Sequence, residues 1–132
     1  MPGKTPVFLE LDEVLALHVD QIERYGGSHG IRDLGLLKSA LAMPAATFDG
    51  QLLHGTLAEQ TAAYLFHCAN NHAFVDGNKR IALMAALVFL GLNDHRLEAD
   101  PDELLQLVLG VAAGGTSKAD VAVFIETHTR AL

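Results

Sequence analysis

Apolar residues recur along most of this chain at spacings of three and four, which is the period of an amphipathic helix. In the first run the positions with this spacing are Leu11, Val14, Leu15, His18, Ile22 and Tyr25. Gly26 and Gly27 follow directly, as glycines do where a helix ends. A second run repeats the spacing at Leu34, Leu37 and Leu41. Pro44 then predicts the end of this second helix, because proline cannot continue it.

Capping residues mark two further helix starts. Thr56 and Glu59 form a T-x-x-E capping box, which predicts a third helix that ends near Asn70. Ser117 and Asp120 make a similar start for a last helix, which we expect to run to the C-terminus. The spaced positions of this last helix are Val121, Phe124, Ile125 and His128.

A fifth helix is predicted to begin at the sequence Asp-Pro-Asp-Glu. Asp100 is the expected N-cap, Pro101 takes the first helical position and Glu103 is expected as the capping carboxylate. Gly114 and Gly115 close this helix.

The most hydrophobic segment, residues 81–90, is about half as long as a membrane span requires. It is therefore predicted to be a buried core helix, the fourth of six. Only "PVFL", residues 6–9, suggests a short strand. We expect an all-α, six-helix single domain over residues 1–132, since this length suffices for one core but not for two.

Charge and cysteine content narrow the classes of function. Nine Lys and Arg against sixteen Asp and Glu leave a net charge of −7. Direct nucleic-acid binding is not expected, because it relies on clustered cations that neutralise phosphates. The single Cys68 excludes an internal disulfide, and no basic-then-apolar leader is visible. These features predict a cytoplasmic protein that does not bind a membrane.

Residues 72–80, "HAFVDGNKR", concentrate polar side chains directly before the apolar fourth helix. The first backbone N–H groups of that helix lack intrahelical partners. Gly77 allows the positive φ of a tight turn, and the helix dipole favours a bound anion. Lys79 and Arg80 add two cations. The ligand expected at this site is therefore a phosphate group.

His72 and Asp76 suggest what this phosphate site does. A carboxylate alone would repel phosphate, so Asp76 suggests that Mg²⁺ lies between the two groups. Histidine has an ordinary pKa of about 6.5, which suits removal of a proton from an attacking hydroxyl. The residues thus point to phosphoryl or nucleotidyl transfer.

Structural interpretations compete with this one. Asp76 and Asn78 are also ordinary N-cap and turn residues. The Phe74 side chain is expected to pack into the core and so fix the position of the loop. His67 and His72 suggest zinc ligands, but no third ligand stands at metal-site spacing.

Six histidines are interpreted as caps or half-buried polar groups: His18, His29, His54, His67, His95 and His128.

Residues 72–80 resemble the signature of the Fic/Doc family, and Lys79 is similar to the lysine of the Doc, or death-on-curing, toxin branch. The flanking stretches "GGSHGIRDLGLLKSALAMP" and "ALVFLGLNDHRL" are also similar to Doc-type proteins. The resemblance thus covers most of the chain, and six helices in this length fit the family.

The resemblance implies a role for each motif residue. His72 would be the general base that activates a target hydroxyl, and Asp76 would hold Mg²⁺ against the phosphates of ATP. Asn78, Arg80 and the backbone around Gly77 would form the anion hole. Lys79 would give the phosphates a further cation.

Two departures from the adenylyltransferase pattern bear on the reaction. Fic adenylyltransferases resemble H-P-F-x-x-G-N-G-R with a further arginine three positions on, whereas this chain has Lys79 and Leu83 at the two sites. A glycine would let a diphosphate lie flat on the backbone, and lysine removes that space. The resemblance therefore implies Doc-type transfer of the terminal phosphoryl group to a threonine of a translation factor, elongation factor Tu.

The resemblance also implies a cognate antitoxin whose C-terminal segment docks on the toxin. An acidic surface agrees with a basic partner. Two alternatives stay open at this point. One is transfer of AMP to a protein hydroxyl, and the other is a non-catalytic helical module that only binds a partner.

Overall fold

The computed structural model describes residues 5–132, which form six helices and two short antiparallel strand pairs. The helices are α1 Leu11–Tyr25, α2 Leu34–Ala42, α3 Leu57–Asn70, α4 Asn78–Leu92, α5 Pro101–Ala112 and α6 Lys118–His128. The all-α prediction is therefore confirmed, and each predicted helix is present. No helix in this part of the chain is long and apolar enough to cross a membrane.

Helices α3 and α4 pack against each other at the centre of the fold. Helix α1 packs on α4, whereas α5 and α6 pack on α3. The buried face of α4 consists of Ile81, Ala82, Ala85, Ala86, Phe89 and Leu90. The prediction of a buried core helix over residues 81–90 is thus confirmed. One core cluster, which includes Tyr64 and Phe89, extends to Phe74 in the loop between α3 and α4.

The predicted caps form at two helix starts. Thr56 Oγ1 accepts from the Glu59 N–H at 3.1 Å, and the Glu59 carboxylate accepts from the Thr56 N–H at 3.2 Å. Ser117 and Asp120 make the same reciprocal pair at α6. These capping boxes satisfy backbone donors that the helix itself leaves unpaired.

The C-terminal part of the chain departs from prediction in two details. Asp100 caps α5, but the expected capping bond of Glu103 is not formed. Its carboxylate instead lies 3.7 Å from His128 Nε2. Helix α6 ends at His128 and not at the C-terminus, because β4 (Thr129–Ala131) pairs with β3 (His95–Leu97).

The predicted strand at residues 6–9 is wrong, since residues 5–10 have no regular secondary structure. The backbone N–H of Val7 donates to Asn93 Oδ1 at 2.8 Å, and its C=O accepts from Asn93 Nδ2 at 3.0 Å. The Leu9 N–H donates to the Tyr64 hydroxyl at 2.8 Å. Side chains therefore satisfy the backbone groups that a neighbouring strand would otherwise bind.

A hairpin between α2 and α3 was not predicted. It joins β1 (Thr47–Phe48) to β2 (Gln51–Leu52). Its two turn residues, Asp49 and Gly50, both have positive φ, at 53° and 76°. Asp-Gly is a typical pair for such a turn, so the dipeptide was a usable signal.

Candidate active site

The loop between α3 and α4 carries the motif and ends at Gly77, the N-cap of α4. Gly77 is left-handed, with φ 78° and ψ 20°. A Cβ at this position would lie 3.3 Å from Ile22 Cδ1, so a side chain would add crowding to backbone strain. Helix α4 begins at Asn78, within the motif and three residues before the apolar segment that was predicted as the fourth helix. Its first N–H groups lack intrahelical partners.

His72 is exposed and lies at the start of this loop. Its φ is 49°, which is uncommon for a residue other than glycine. The next two residues, Ala73 and Phe74, are buried. The backbone turn at His72 therefore separates an exposed imidazole from neighbours that are anchored in the core.

Asp76 has both carboxylate oxygens engaged by backbone donors. Oδ2 accepts from the Ser28 N–H at 3.1 Å, and Oδ1 accepts from the Gly77 N–H at 2.8 Å. These two hydrogen bonds are the main reason why the pKa of Asp76 lies below its ordinary value, and the charges of Arg80 and His18 add to the effect. The carboxylate is therefore ionised at neutral pH.

The Ser28 amide reaches Asp76 because Gly27 leaves room for the carboxylate. Gly27 has a φ of 118°, and a Cβ there would lie 2.7 Å from Asp76 Oδ2. Both the backbone conformation and the close approach require glycine. The Gly-Gly pair that was predicted to end α1 thus also shapes the site.

His18 of α1 supports the loop from below and is 3% exposed. Its ring stacks on Phe74, with 3.8 Å between centroids and 9° between planes. Its Nε2 lies 2.7 Å from the Asp76 C=O. Since a carbonyl only accepts, Nε2 carries the proton and donates it. The prediction that Phe74 plugs into the core is confirmed, and His18 is a fully buried support of the loop.

Asn78 closes the loop with its side chain. Its Oδ1 accepts from the Phe74 N–H at 3.0 Å, and its Nδ2 donates to the Phe74 C=O at 2.9 Å. Lys79, the next residue, is exposed. The structure thus shows Asn78 holding the backbone of the loop, and its contact with phosphate stays a prediction.

Arg80 joins the start of α4 to the end of α1. Its Nη1 donates to the C=O of Gln21 at 3.1 Å and to the C=O of Gly26 at 2.9 Å. These bonds satisfy carbonyls at a helix C-terminus, where the dipole also favours a cation. The phosphate contact predicted for Arg80 stays a prediction, as it does for Asn78.

Comparison with known proteins agrees with this geometry. The model of the Fic/DOC family matches residues 8–90, from the segment before α1 to the core of α4. This chain belongs to the Fic/Doc family.

Two curated relatives carry Doc names. "Toxin Doc" of Mycolicibacterium smegmatis is 47% identical over 78 residues, which are 59% of this chain and 60% of that protein. "Protein kinase doc" of Escherichia phage P1 is 38% identical over 111 residues, which are 84% of this chain and 86% of that protein. The predicted membership in the Doc branch is therefore confirmed.

The donor set of this Fic/Doc site fits Mg²⁺ better than zinc. Within residues 5–132 no group of three or more His, Cys, Asp or Glu is placed to hold a metal ion. A structural zinc site needs four ligands from the protein, whereas Mg²⁺ commonly takes one or two carboxylates and completes its shell with water and phosphate. The ionised carboxylate of Asp76 matches the second case.

Sequence reasoning about the motif missed several residues that support the Fic/Doc site. They include His18, Gly27, Ser28 and Arg32, which contact the motif loop from α1 or from the segment that follows it. The "GGSHGIRD" stretch by itself indicates only a helix end and a resemblance to the family. Its contacts with the loop depend on tertiary structure, which local spacing does not reveal.

Proposed function

We propose that this Fic/Doc protein is a Doc-like toxin with protein kinase activity. Its relatives named as toxin and as protein kinase support this class. The observation that carries the proposal is the corner at the start of α4, where an exposed His72 is followed by the ionised Asp76 and the left-handed Gly77. An exposed base beside a site for anions and metal is what protein phosphorylation needs.

The proposed reaction moves the γ-phosphoryl group of ATP to a threonine hydroxyl. His72 takes the hydroxyl proton as the threonine oxygen forms a bond to the γ-phosphorus. The bond from that phosphorus to the β–γ bridging oxygen breaks, and ADP leaves with the electron pair. His72 then gives its proton to solvent.

The other motif residues would bind and orient the nucleotide. Asp76 would hold Mg²⁺, which when bound neutralises charge on the phosphates. The N–H groups that open at the start of α4 would bind phosphate oxygens, with Lys79 as a nearby cation. Leu83, one turn further along α4, offers no charge for a second phosphate. This distribution of charge favours a bound nucleotide whose terminal phosphate lies beside His72.

The target that we propose is a translation factor resembling elongation factor Tu, whose modification would arrest translation in the cytoplasm. A cognate antitoxin, docking through a C-terminal segment, would restrain the toxin. Both proposals rest on the similarity to Doc toxins, and the net charge of −7 favours a basic docking segment.

One experiment separates phosphoryl from nucleotidyl transfer. The purified protein is incubated with bacterial elongation factor Tu and with ATP labelled on either the γ- or the α-phosphorus. We expect γ-label in the target, together with a mass gain of one phosphate. Entry of α-label would show AMP transfer instead, and failure of both labels to enter would favour a binding module.

A further inference from the structure

Residues 30–33 lie alongside residues 72–75 of the motif loop, and we call residues 30–33 the clamp segment. Ile31 and Phe74 form an isolated antiparallel bridge. Three backbone hydrogen bonds join the two stretches: Val75 N–H to Gly30 O at 3.0 Å, Arg32 N–H to Ala73 O at 2.8 Å and Asp33 N–H to Ala73 O at 3.0 Å. The clamp segment therefore fixes the backbone on both sides of the bridge.

Arg32 adds a side-chain contact to the catalytic end of the loop. Its Nε donates to the C=O of His72 at 2.7 Å, across forty positions of sequence. A charged donor makes a stronger hydrogen bond than a neutral one. This is the contact that the clamp segment makes with His72 itself, since its backbone hydrogen bonds go to Ala73 and Val75.

His72 needs such support because its backbone is left-handed, at φ 49°. A residue with a side chain persists in this region only where its surroundings fix it. The next residue, Ala73, is buried and hydrogen-bonded to the clamp segment. The bond from Arg32 holds the carbonyl of His72, which is part of the peptide group that joins His72 to Ala73.

Arg32 is itself held from both directions. Ile31 precedes it in the bridge to Phe74. Asp33 follows it as the N-cap of α2, with Oδ1 accepting from the Leu36 N–H at 3.0 Å. The backbone on both sides of Arg32 is therefore fixed, and its exposed side chain reaches the His72 carbonyl from that fixed position.

We propose that Arg32 is a positioning residue of the active site. By holding the carbonyl of His72, it keeps the backbone in the left-handed turn that leaves the imidazole exposed. This inference rests on the proposed role of His72 as the base in phosphoryl transfer. It extends the functional set beyond the nine-residue motif.

The kinetic test compares Arg32→Ala, Arg32→Lys and the control Arg96→Ala. Arg96 is an exposed arginine of β3, beyond the opposite end of α4. For Arg32→Ala we expect kcat to fall by about 10- to 100-fold, since small misplacements of a catalytic group have effects of this size. The KM for ATP should change much less, because Arg32 holds the base and not the nucleotide. Arg32→Lys retains a cationic donor and should recover part of kcat, and Arg96→Ala should match the wild type.

A second measurement does not depend on activity. In protein labelled at histidine with ¹³C and ¹⁵N, the backbone resonances of His72 should move in Arg32→Ala and stay in place in Arg96→Ala. Thermal melting checks that each variant is folded. If Arg32→Ala does not fold, Arg32→Met, which keeps a long side chain but has no donor, takes its place in both measurements.

The outcomes distinguish this proposal from the proposed function. If the wild type transfers no phosphate, the kinase proposal fails, and the His72 resonances still decide whether Arg32 holds this backbone. If the wild type is active and Arg32→Ala keeps its kcat within about twofold, Arg32 is not a positioning residue. Unmoved His72 resonances in a folded Arg32→Ala variant would overturn the proposal equally.

Discussion

Two regions of this protein place a histidine and a lysine near the start of a helix, and they differ in almost every other respect. At α4 the histidine is the exposed His72, and the ionised Asp76 stands between His72 and Lys79 in the sequence. At α6 the half-buried His67 receives a hydrogen bond from Lys118, the first residue of that helix, with 3.3 Å between Nζ and Nε2. Similar residues at similar helix positions thus meet different surroundings.

The surroundings decide what each histidine can do. Burial, together with the charge of Lys118, lowers the pKa of His67 to about 4. The neighbouring His54 is more deeply buried, and its pKa is likewise lowered by burial and by the charge of Lys118. Such a pair stays neutral at physiological pH and serves packing and hydrogen bonding. Exposure, more than proximity to a lysine, therefore distinguishes the candidate base His72 from His67.

The largest effect on activity should be seen when each of the two histidines is substituted separately. His72→Ala should lower phosphoryl transfer by about 10²- to 10⁴-fold, the usual contribution of a general base, and should abolish growth arrest in bacteria. His67→Gln should leave the rate of phosphoryl transfer and the toxicity within a few-fold of the wild type. Labelled transfer assays and growth curves measure these changes. Equal toxicity of folded wild type and His72→Ala would favour a binding module.

A smaller effect, on the binding of ATP, is expected when the Asp76 carboxylate at the start of α4 is neutralised. Asp76→Asn should weaken Mg²⁺-dependent ATP binding by at least about 10- to 100-fold, the range found when residues that merely support a metal ligand are lost. Titration calorimetry with and without Mg²⁺ provides the measurement. Asp12→Asn is a matched control, since Asp12 is an exposed carboxylate in the first turn of α1. If the wild type binds ATP equally well without Mg²⁺, Asp76 is only a turn residue.

Lys79 offers a test of which phosphate lies beside His72. Lys79→Gly removes one exposed cation from the start of α4, and we expect γ-phosphoryl transfer to fall by about tenfold, as for loss of one charge-assisted contact. A weak gain of AMP transfer is expected, limited by Leu83 where adenylyltransferases carry arginine. Lys38→Gly, at an exposed site of α2, controls for general effects of the substitution. Undiminished γ-transfer would remove Lys79 from the phosphate site.

Much of the fold was predictable because its signals are local. The spacing of apolar residues and the boxes at Thr56 and Ser117 located the helices to within a few residues. The strand pair β3–β4 was not predictable in this way, because its partners lie more than thirty positions apart. The hairpin at Asp49 and Gly50 did have a local signal, which the helical pattern on either side obscured.

The candidate site shows the same division. The motif predicted a phosphate corner, and it lies where the first turn of α4 begins. The local sequence did not reveal that the side chains of Asn78 and Arg80 hold backbone carbonyls, or that His18, Ser28 and Arg32 support the loop. Each of these contacts except that of Asn78 joins residues at least forty positions apart. They arise from the packing of α1 and the clamp segment on the loop.

The smallest predicted effect concerns the second region and is a dependence of stability on pH. The pKa of His67 is about 4 in the folded protein, against about 6.5 for an ordinary histidine. The unfolded chain therefore binds more protons than the folded protein between these values, so His67 makes the protein less stable as the pH falls from about 6.5 toward 4. Protonation would also place a second cation beside Lys118 and remove the acceptor for its ammonium group.

We expect His67→Gln to reduce this loss of stability, because glutamine does not titrate. Melting temperatures of the wild type and the variant at pH 7, 6, 5 and 4.5 would measure the difference. The change should be a few degrees at most, since His67 is only half-buried and solvent weakens the charge interaction. Identical slopes for wild type and His67→Gln would show that His67 is not held neutral by its surroundings, and the distinction between the two histidines would then rest on geometry alone.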